Sequence, residues 1–274
     1  MKKKIKEIGD ILPGIECQTN SAIYSGIKVL DEATDGFHKG DLILLCSRPG
    51  VGKSTLALNI AGNLMATDVP VLVFSLEINA ERYLGRFLEM SLEGMGVHSN
   101  ELKGLPKGPF AAVESRIREL STKPLYICDT PSIQADELCE VARNTVKEKG
   151  IKMIILDYLQ LMTAPSQYRG NRDRQVEYIM NSLKATANEL DVPVLVLCQL
   201  SRNMRNGDLC PTCSDLRESS SLEGVPDVII MLHKLHDDRD LEMAIVKDSH
   251  QKEGKIVSGL RREGLLMLVD DKIL

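Results

Sequence analysis

Short apolar runs recur along the chain, and stretches with helical spacing separate them. The runs are Leu42–Cys46, Val71–Leu76, Leu125–Cys128, Met153–Leu156, Val194–Cys198 and Val228–Leu232. Near-continuous apolarity over so few residues predicts strands covered on both faces, as in a mostly parallel sheet. Helices are predicted over about 54–66, 80–95, 110–120, 134–149 and 174–190. In the last of these, Val176, Met180, Leu183, Ala187 and Leu190 share one face, with Arg174 and Lys184 pointing elsewhere. Alternating strand and helix predicts α/β layers with right-handed crossovers.

After Leu232 the pattern changes. Segments 241–247, 255–260 and 265–269 read as short strands with Gly254 and Gly264 at turns, an antiparallel extension on the sheet edge. At the other end, Lys2–Leu12 places Ile5, Ile8 and Leu12 on one helical face among lysines. So narrow a stripe does not fold alone, so it is either a frayed terminal helix or a helix that docks on a neighbouring subunit. The expected division is a linker-like helix and connection over 1–20 and one large domain over 21–274.

Composition narrows the class. A chain of 274 residues with 43% hydrophobic content has ample material for one buried core. No run of 18 apolar residues exists, so no membrane partner is expected. The basic start, Met1–Lys4, lacks the apolar segment of a secretory signal. Seven scattered cysteines are an odd count, and Cys46, Cys128 and Cys198 fall inside the apolar runs, which predicts reduced, buried thiols and a cytoplasmic location. The net charge of −5 gives no overall attraction to nucleic acid but leaves room for local basic loops.

One segment carries distinct chemistry. Ser47-Arg48-Pro49-Gly50-Val51-Gly52-Lys53-Ser54 follows the strand at Leu42–Cys46 and opens a helix, with Thr55 next. Successive backbone N–H groups in such a P-loop curl around phosphates, and glycine keeps side chains out of the way. The helix N-terminus adds a positive dipole end. Lys53 supplies a point charge to the β and γ phosphates, and the Ser54 hydroxyl ligates magnesium. Ser47 stands where the usual pattern begins with glycine.

Three residues at strand ends fit around this loop. Asp157 has the position of a carboxylate that holds Mg2+; on its own it would read as a helix cap or turn residue. Glu77, ending another strand, faces the crevice where open α/β sheets bind ligands and suits a general base, or else simply precedes the helix near Ala80. Gln199 reads as a γ-phosphate sensor or as a polar strand end without function.

In this order the pieces resemble the C-terminal motor domain of the DnaB family of replicative helicases, which are ring-shaped hexameric ATPases with a RecA-like core. The resemblance runs from about Gly26 to Arg261 and is carried by Gly40-Asp41-Leu42-Ile43, the P-loop, Phe74-Ser75-Leu76-Glu77, Leu156-Asp157-Tyr158-Leu159-Gln160-Leu161-Met162, Asn171-Arg172, Gln199-Leu200-Ser201-Arg202 and Ser214-Asp215-Leu216-Arg217-Glu218-Ser219. It implies an ATP-dependent motor acting on single-stranded DNA in replication, a homo-hexameric ring, and 5′–3′ movement. Glu77 would be the catalytic base, Asp157 the magnesium carboxylate and Gln199 the phosphate sensor. Arg217, Glu218 and Ser220 would lie in a channel loop holding the DNA backbone. The segment with Arg169, Arg172 and Arg174 also looks channel-facing. A helicase loader or a full-length helicase subunit would be further partners.

Two departures bear on activity. Ser220 stands where the family has glycine. The family's late Lys-x-Arg-Asn-Gly stretch reads Lys247-Asp248-Ser249-His250-Gln251, so Lys247 is kept as a nucleotide contact while Ser249 replaces the arginine finger. Such a finger contributes roughly 10³ to 10⁵ in rate. Either another cation (Lys247, Lys252, Lys255, Arg261 or Arg262) substitutes, or hydrolysis is slow. Within these residues Lys2–Leu12 matches only the place of the family's linker helix and no segment reads as its primase-binding N-terminal domain, so the expected readings are an excised motor fragment or a naturally short relative. The alternative to a motor is therefore a nucleotide-dependent assembly or regulatory subunit of the same fold. Cys210 and Cys213 with His233 and His236 have the ligand types of a zinc site, but the histidine spacing is too short for the usual pattern.

Overall fold

The structure is a computed structural model of the chain and describes residues 22–93, 107–200, 211–216, 220–234, 240–250, 255–263 and 267–270. The predicted terminal helix at 2–12 and the turns at Gly254 and Gly264 lie outside these residues. A short helix α1 (Lys28–Thr34) leads into strand β1 (Leu42–Ser47), followed by α2 (Lys53–Ala66), β2 (Val71–Ser75), α3 (Ala80–Glu93), α4 (Lys107–Ser121) and β3 (Leu125–Cys128). Then come α5 (Ala135–Lys149), β4 (Met153–Asp157), α6 (Arg172–Leu190), β5 (Val194–Gln199), α7 (Ser220–Gly224), β6 (Val228–Lys234), β7 (Asp240–Asp248), β8 (Lys255–Glu263) and β9 (Met267–Asp270).

The described strands form one sheet in the order β3-β2-β4-β5-β1-β6-β7-β8-β9. From β3 to β6 all neighbours are parallel; β6 to β9 pair antiparallel. This is the predicted α/β sheet with its antiparallel edge extension. Alternation along each strand sorts the side chains into two cores. Ile43, Leu45, Val73, Ile155 and Leu197 pack with Leu30 of α1 and Leu56 and Ile60 of α2. Leu44, Leu72, Leu156 and Val196 pack on the other face with Leu138 of α5 and Met180 and Leu183 of α6. The central parallel strands β1, β2, β4 and β5 are apolar at every position but the last because helices cover both faces.

The predicted burial fails at β3. Its four residues, Cys128 included, are only half-buried, because β3 ends the sheet and has a single neighbouring strand. Cys46 and Cys198 are buried free thiols, as expected; burial is the leading cause that pushes the Cys46 thiol up from its ordinary range. On α6, Asn171 caps the N-terminus by accepting from the Arg174 N–H at 3.1 Å. Asp191 ends the helix in the left-handed region, φ 56°.

Lys184 of α6 does not point away from the fold, as periodicity suggested. Its ammonium donates to the Gly40 carbonyl at 2.9 Å and to Asp227 Oδ2 at 2.6 Å. The same carboxylate oxygen accepts the Leu42 N–H at 2.7 Å. Asp227 therefore ties the starts of β1 and β6 to a helix that is distant in sequence. The pair is mostly shielded, with side chains 24% and 20% exposed, so removing one partner strands the other charge. Lys184→Met is expected to lower stability by about 2 kcal/mol, measured by urea unfolding; an unchanged midpoint would show the pair to be idle.

Candidate active site

Parallel strands deliver their C-terminal ends to one edge, and the chemistry predicted from sequence gathers there. Ser47 ends β1 opposite Gln199 of β5 and Leu232 of β6. Ser75 ends β2 opposite Asp157 of β4, and the Leu76 N–H continues to the Asp157 carbonyl at 2.8 Å. Glu77 is the next residue, so the register sets it beside Asp157.

The loop after β1 has the backbone that a phosphate cradle requires. Gly50 has φ 79° and Gly52 φ 121°, values that a side chain disfavours. A Cβ at Gly50 would meet nothing within 4 Å, so the space above it is open. Val51 N–H closes on the Arg48 carbonyl at 3.4 Å, and Leu56 N–H on Gly52 at 2.9 Å begins α2. Val51 is buried and anchors the loop, whereas Arg48, Pro49, Ser54 and Thr55 are partly accessible around it. The missing first glycine has a plain explanation. Ser47 is still β-strand, fully buried, and its hydroxyl donates to the Arg48 carbonyl at 2.9 Å; it needs no positive φ.

Lys53 opens α2 and is buried, 8% exposed. Its ammonium lies 5.3 Å from the centroid of the Tyr158 ring, a cation–π contact that holds it at the loop. Burial raises the Asp157 carboxyl above its ordinary range; the Ser54 hydroxyl hydrogen-bonded to it and the Lys53 charge oppose that rise, and Glu77 adds to it. Asp157 Oδ1 is buried with no hydrogen-bond partner among the described residues. A carboxylate oxygen so placed, with the Ser54 hydroxyl beside it, suits a hard divalent cation carrying water. The residues thus fit a magnesium nucleotide. Glu77 is exposed, and its charge is felt at Asp157 and Tyr158.

Gln199 is held through its backbone. Its N–H donates to Gln160 Oε1 at 3.1 Å, and its carbonyl accepts from Gln160 Nε2 at 2.9 Å. Gln160 and Tyr158 are functional neighbours that periodicity alone did not single out. The available signal was a glutamine between two leucines, Leu159 and Leu161, just beyond a strand ending in a candidate metal carboxylate.

The DNA-contact candidates are only partly placed. Arg169 is exposed, following a 3-10 turn over Ser166–Tyr168. Arg172 begins α6 half-buried, donating to the Gln160 carbonyl and to Gln175 Oε1, each at 3.4 Å. Ser220 is exposed at the start of α7. Arg217 and Glu218 lie outside the described residues, as do Cys210 and His236. Lys247 is not brought to the P-loop of its own chain: its ammonium donates to the Glu223 and Gly224 carbonyls at 2.9 and 3.0 Å, capping α7. Ser249 Oγ donates to the Asp227 carbonyl at 3.1 Å.

Comparison with known proteins agrees with this architecture. The family model of the DnaB-like helicase C-terminal domain matches residues 22–269. A replicative DNA helicase DnaB of Geobacillus stearothermophilus is 38% identical over 218 residues, covering 78% of this chain and 47% of that protein. A replicative DNA helicase DnaC of Bacillus subtilis is 38% identical with the same coverage of both. The chain thus spans about half the length of these curated relatives. The solved ATPase domain of G40P superposes with a TM-score of 0.85 at 25% identity, covering 97% of this chain and 99% of that one. Among the described residues no helix is long and apolar enough to cross a membrane. With the match spanning nearly its whole length and a RecA-like sheet beneath it, the chain belongs to the DnaB-like helicase C-terminal domain family.

Proposed function

We propose that this chain is an ATP-hydrolysing motor that moves on single-stranded DNA during replication, working as a ring of identical subunits. The observation that carries the reading is the buried, unpartnered Asp157 oxygen set beside Ser54 and Lys53 at the sheet edge. An acid so placed is stabilised when a magnesium nucleotide occupies the cradle, so the fold couples its own electrostatics to ATP. Relatives named as replicative helicases support the DNA-directed part.

The roles follow from position. The N–H groups of the loop from Arg48 to Thr55 would hold the phosphate oxygens, with Lys53 neutralising charge near the terminal phosphate. Ser54 and Asp157 would hold Mg2+, which supplies Lewis-acid polarisation of the phosphates when bound. Glu77 accepts a proton from the attacking water, and Gln199 reports on the terminal phosphate. Arg169, Arg172, Arg217, Glu218 and Ser220 would contact the DNA backbone. A nucleotide contact by Lys247 would fall in a neighbouring subunit's site. The alternative of a weakly hydrolysing assembly subunit, bound to a full-length helicase or a loader, rests on Ser249; the relatives' names favour the motor.

The direct test is the ATPase rate with and without single-stranded DNA, together with the oligomeric mass in ATP. DNA-stimulated turnover by a ring is expected, and unstimulated turnover without DNA binding at low salt would reject the reading. Lys53→Ala is expected to abolish the heat of Mg-ATP binding in calorimetry; retained binding would refute the phosphate assignment. Glu77→Gln should keep nucleotide binding while turnover falls roughly 10²- to 10⁴-fold, read by a phosphate-release assay. Arg217→Ala should weaken DNA affinity and reduce the slope of log affinity against log salt by about 1; an unchanged slope removes Arg217 from the DNA path.

A further inference from the structure

We infer that Gln160 is the positioning residue that fixes the Gln199 sensor and joins it to the basic segment at the start of α6. This rests on the motor reading above, whose nucleotide crevice Gln199 borders.

The need for Gln160 arises from a mismatch in strand length. Strand β4 pairs with β5 through Ile154↔Val194, Ile155↔Leu195 and Leu156↔Val196, whereas β5 runs on to Gln199. On its other side β5 stays paired with β1, and the Leu200 N–H reaches the Ser47 carbonyl at 2.9 Å. Backbone groups of successive residues point to opposite sides of a strand, so the N–H and C=O of Gln199 face the space beyond the β4 pairing. The Gln160 side chain fills that space, accepting the N–H and donating to the C=O. Only one orientation of the amide satisfies both bonds, since its oxygen cannot donate and its nitrogen cannot accept. A third contact, Nε2 to Cys198 Sγ at 3.3 Å, pins the same amide to the strand. A side chain thus stands in for the missing strand partner at the residue that would sense the nucleotide.

The other end of Gln160 is tied to the basic segment. Its backbone carbonyl accepts from Arg172, whose second amine reaches Gln175, and Gln175 Nε2 donates to the Tyr168 carbonyl at 3.1 Å. Tyr168 precedes Arg169. Movement of Arg169 or Arg172 onto a phosphate backbone therefore pulls on the peptide that carries the Gln160 amide, and the end of β5 moves with it.

Two variants test this, each measured against the native protein by ATPase with and without single-stranded DNA, Mg-ATP calorimetry and thermal unfolding. Gln160→Leu keeps the bulk and loses both hydrogen bonds. Mg-ATP affinity should stay within about threefold, while kcat falls roughly 10- to 100-fold and the ratio of stimulated to basal turnover falls toward one. Gln160→Glu keeps the shape and the acceptor, but its carboxylate faces the Gln199 carbonyl. Once protonated, the introduced carboxyl regains the donor–acceptor pattern of the amide. Its kcat relative to native should therefore rise as pH is lowered from about 8 to about 5.5. A packing role alone leaves that pH profile parallel to the native one. The inference is overturned if Gln160→Leu keeps native kcat and DNA stimulation, or if the Gln160→Glu profile parallels native; the second arm decides alone should the leucine variant not fold. Absence of DNA stimulation in the native protein would sink the motor reading instead, and the pH profile of basal turnover would still decide Gln160.

Discussion

A carboxylate held inside an apolar sheet edge is the constraint around which the rest is arranged. Asp157 ends a strand whose other residues are all buried, and burial opposes its ionised form. The Ser54 hydroxyl and the Lys53 ammonium, both from the first turn of α2, are the leading influences that offset that cost, with Arg86 of α3 adding to them. The turn reaches Asp157 because the glycines at 50 and 52 let the chain reverse between β1 and α2. The cradle and the acid are therefore one electrostatic unit. Each is stabilised by the other, and a magnesium nucleotide would satisfy both.

Strand order turns this unit into a site with several functions. Because β1 lies between β5 and β6, and β4 between β2 and β5, residues far apart in sequence end level on a single edge. Glu77 arrives by continuing β2 past its pairing with β4, and Gln199 by continuing β5 past its own. At β2 the ladder itself reaches one step further, the Leu76 N–H bonding the Asp157 carbonyl, whereas on the β4 side of β5 the strand pairing has ended and the Gln160 amide holds Gln199 instead.

Much of this was legible in the sequence, for physical reasons. Strands covered on both faces must be apolar at every position, so Leu42–Cys46, Val71–Leu76 and Val194–Cys198 announced themselves, and the Gly-rich turn before Lys53 marked one edge as the phosphate end. The same logic misjudged β3, because an apolar run does not say how many neighbours a strand has. It passed over α1, since two turns carry too little periodicity to register. Lys184 was assigned to a polar face because periodicity describes the helix and not what lies across from it; its partners at Gly40 and Asp227 are 144 and 43 residues away. Gln160 was silent for a related reason. Its partner is backbone, and a backbone partner leaves no complementary side chain in the sequence to find.

The Ser249 departure acquires a structural meaning at the far edge of the sheet. The end of β7 returns beside the start of β6, away from the P-loop of the same chain. There Ser249 binds the Asp227 carbonyl, and His250 Nε2 lies 2.9 Å from Asp41 Oδ1 with the His38 ring 4.4 Å away, centroid to centroid. Burial raises the Asp41 carboxyl, and His250 is the first influence opposing it. These side chains close the end of β7 onto their own chain. Serine carries no charge to set against a neighbour's developing phosphate charge, a contribution on the order of 10³ to 10⁵ in rate. Fast hydrolysis in a ring would then require a cation from another element. On the neighbouring strand β8, Lys255 stands opposite Ile245, toward that end of β7, whereas Arg261 stands opposite Asp240 at the other end, so register alone sets Lys255, and not the arginines of β8, nearest to Ser249.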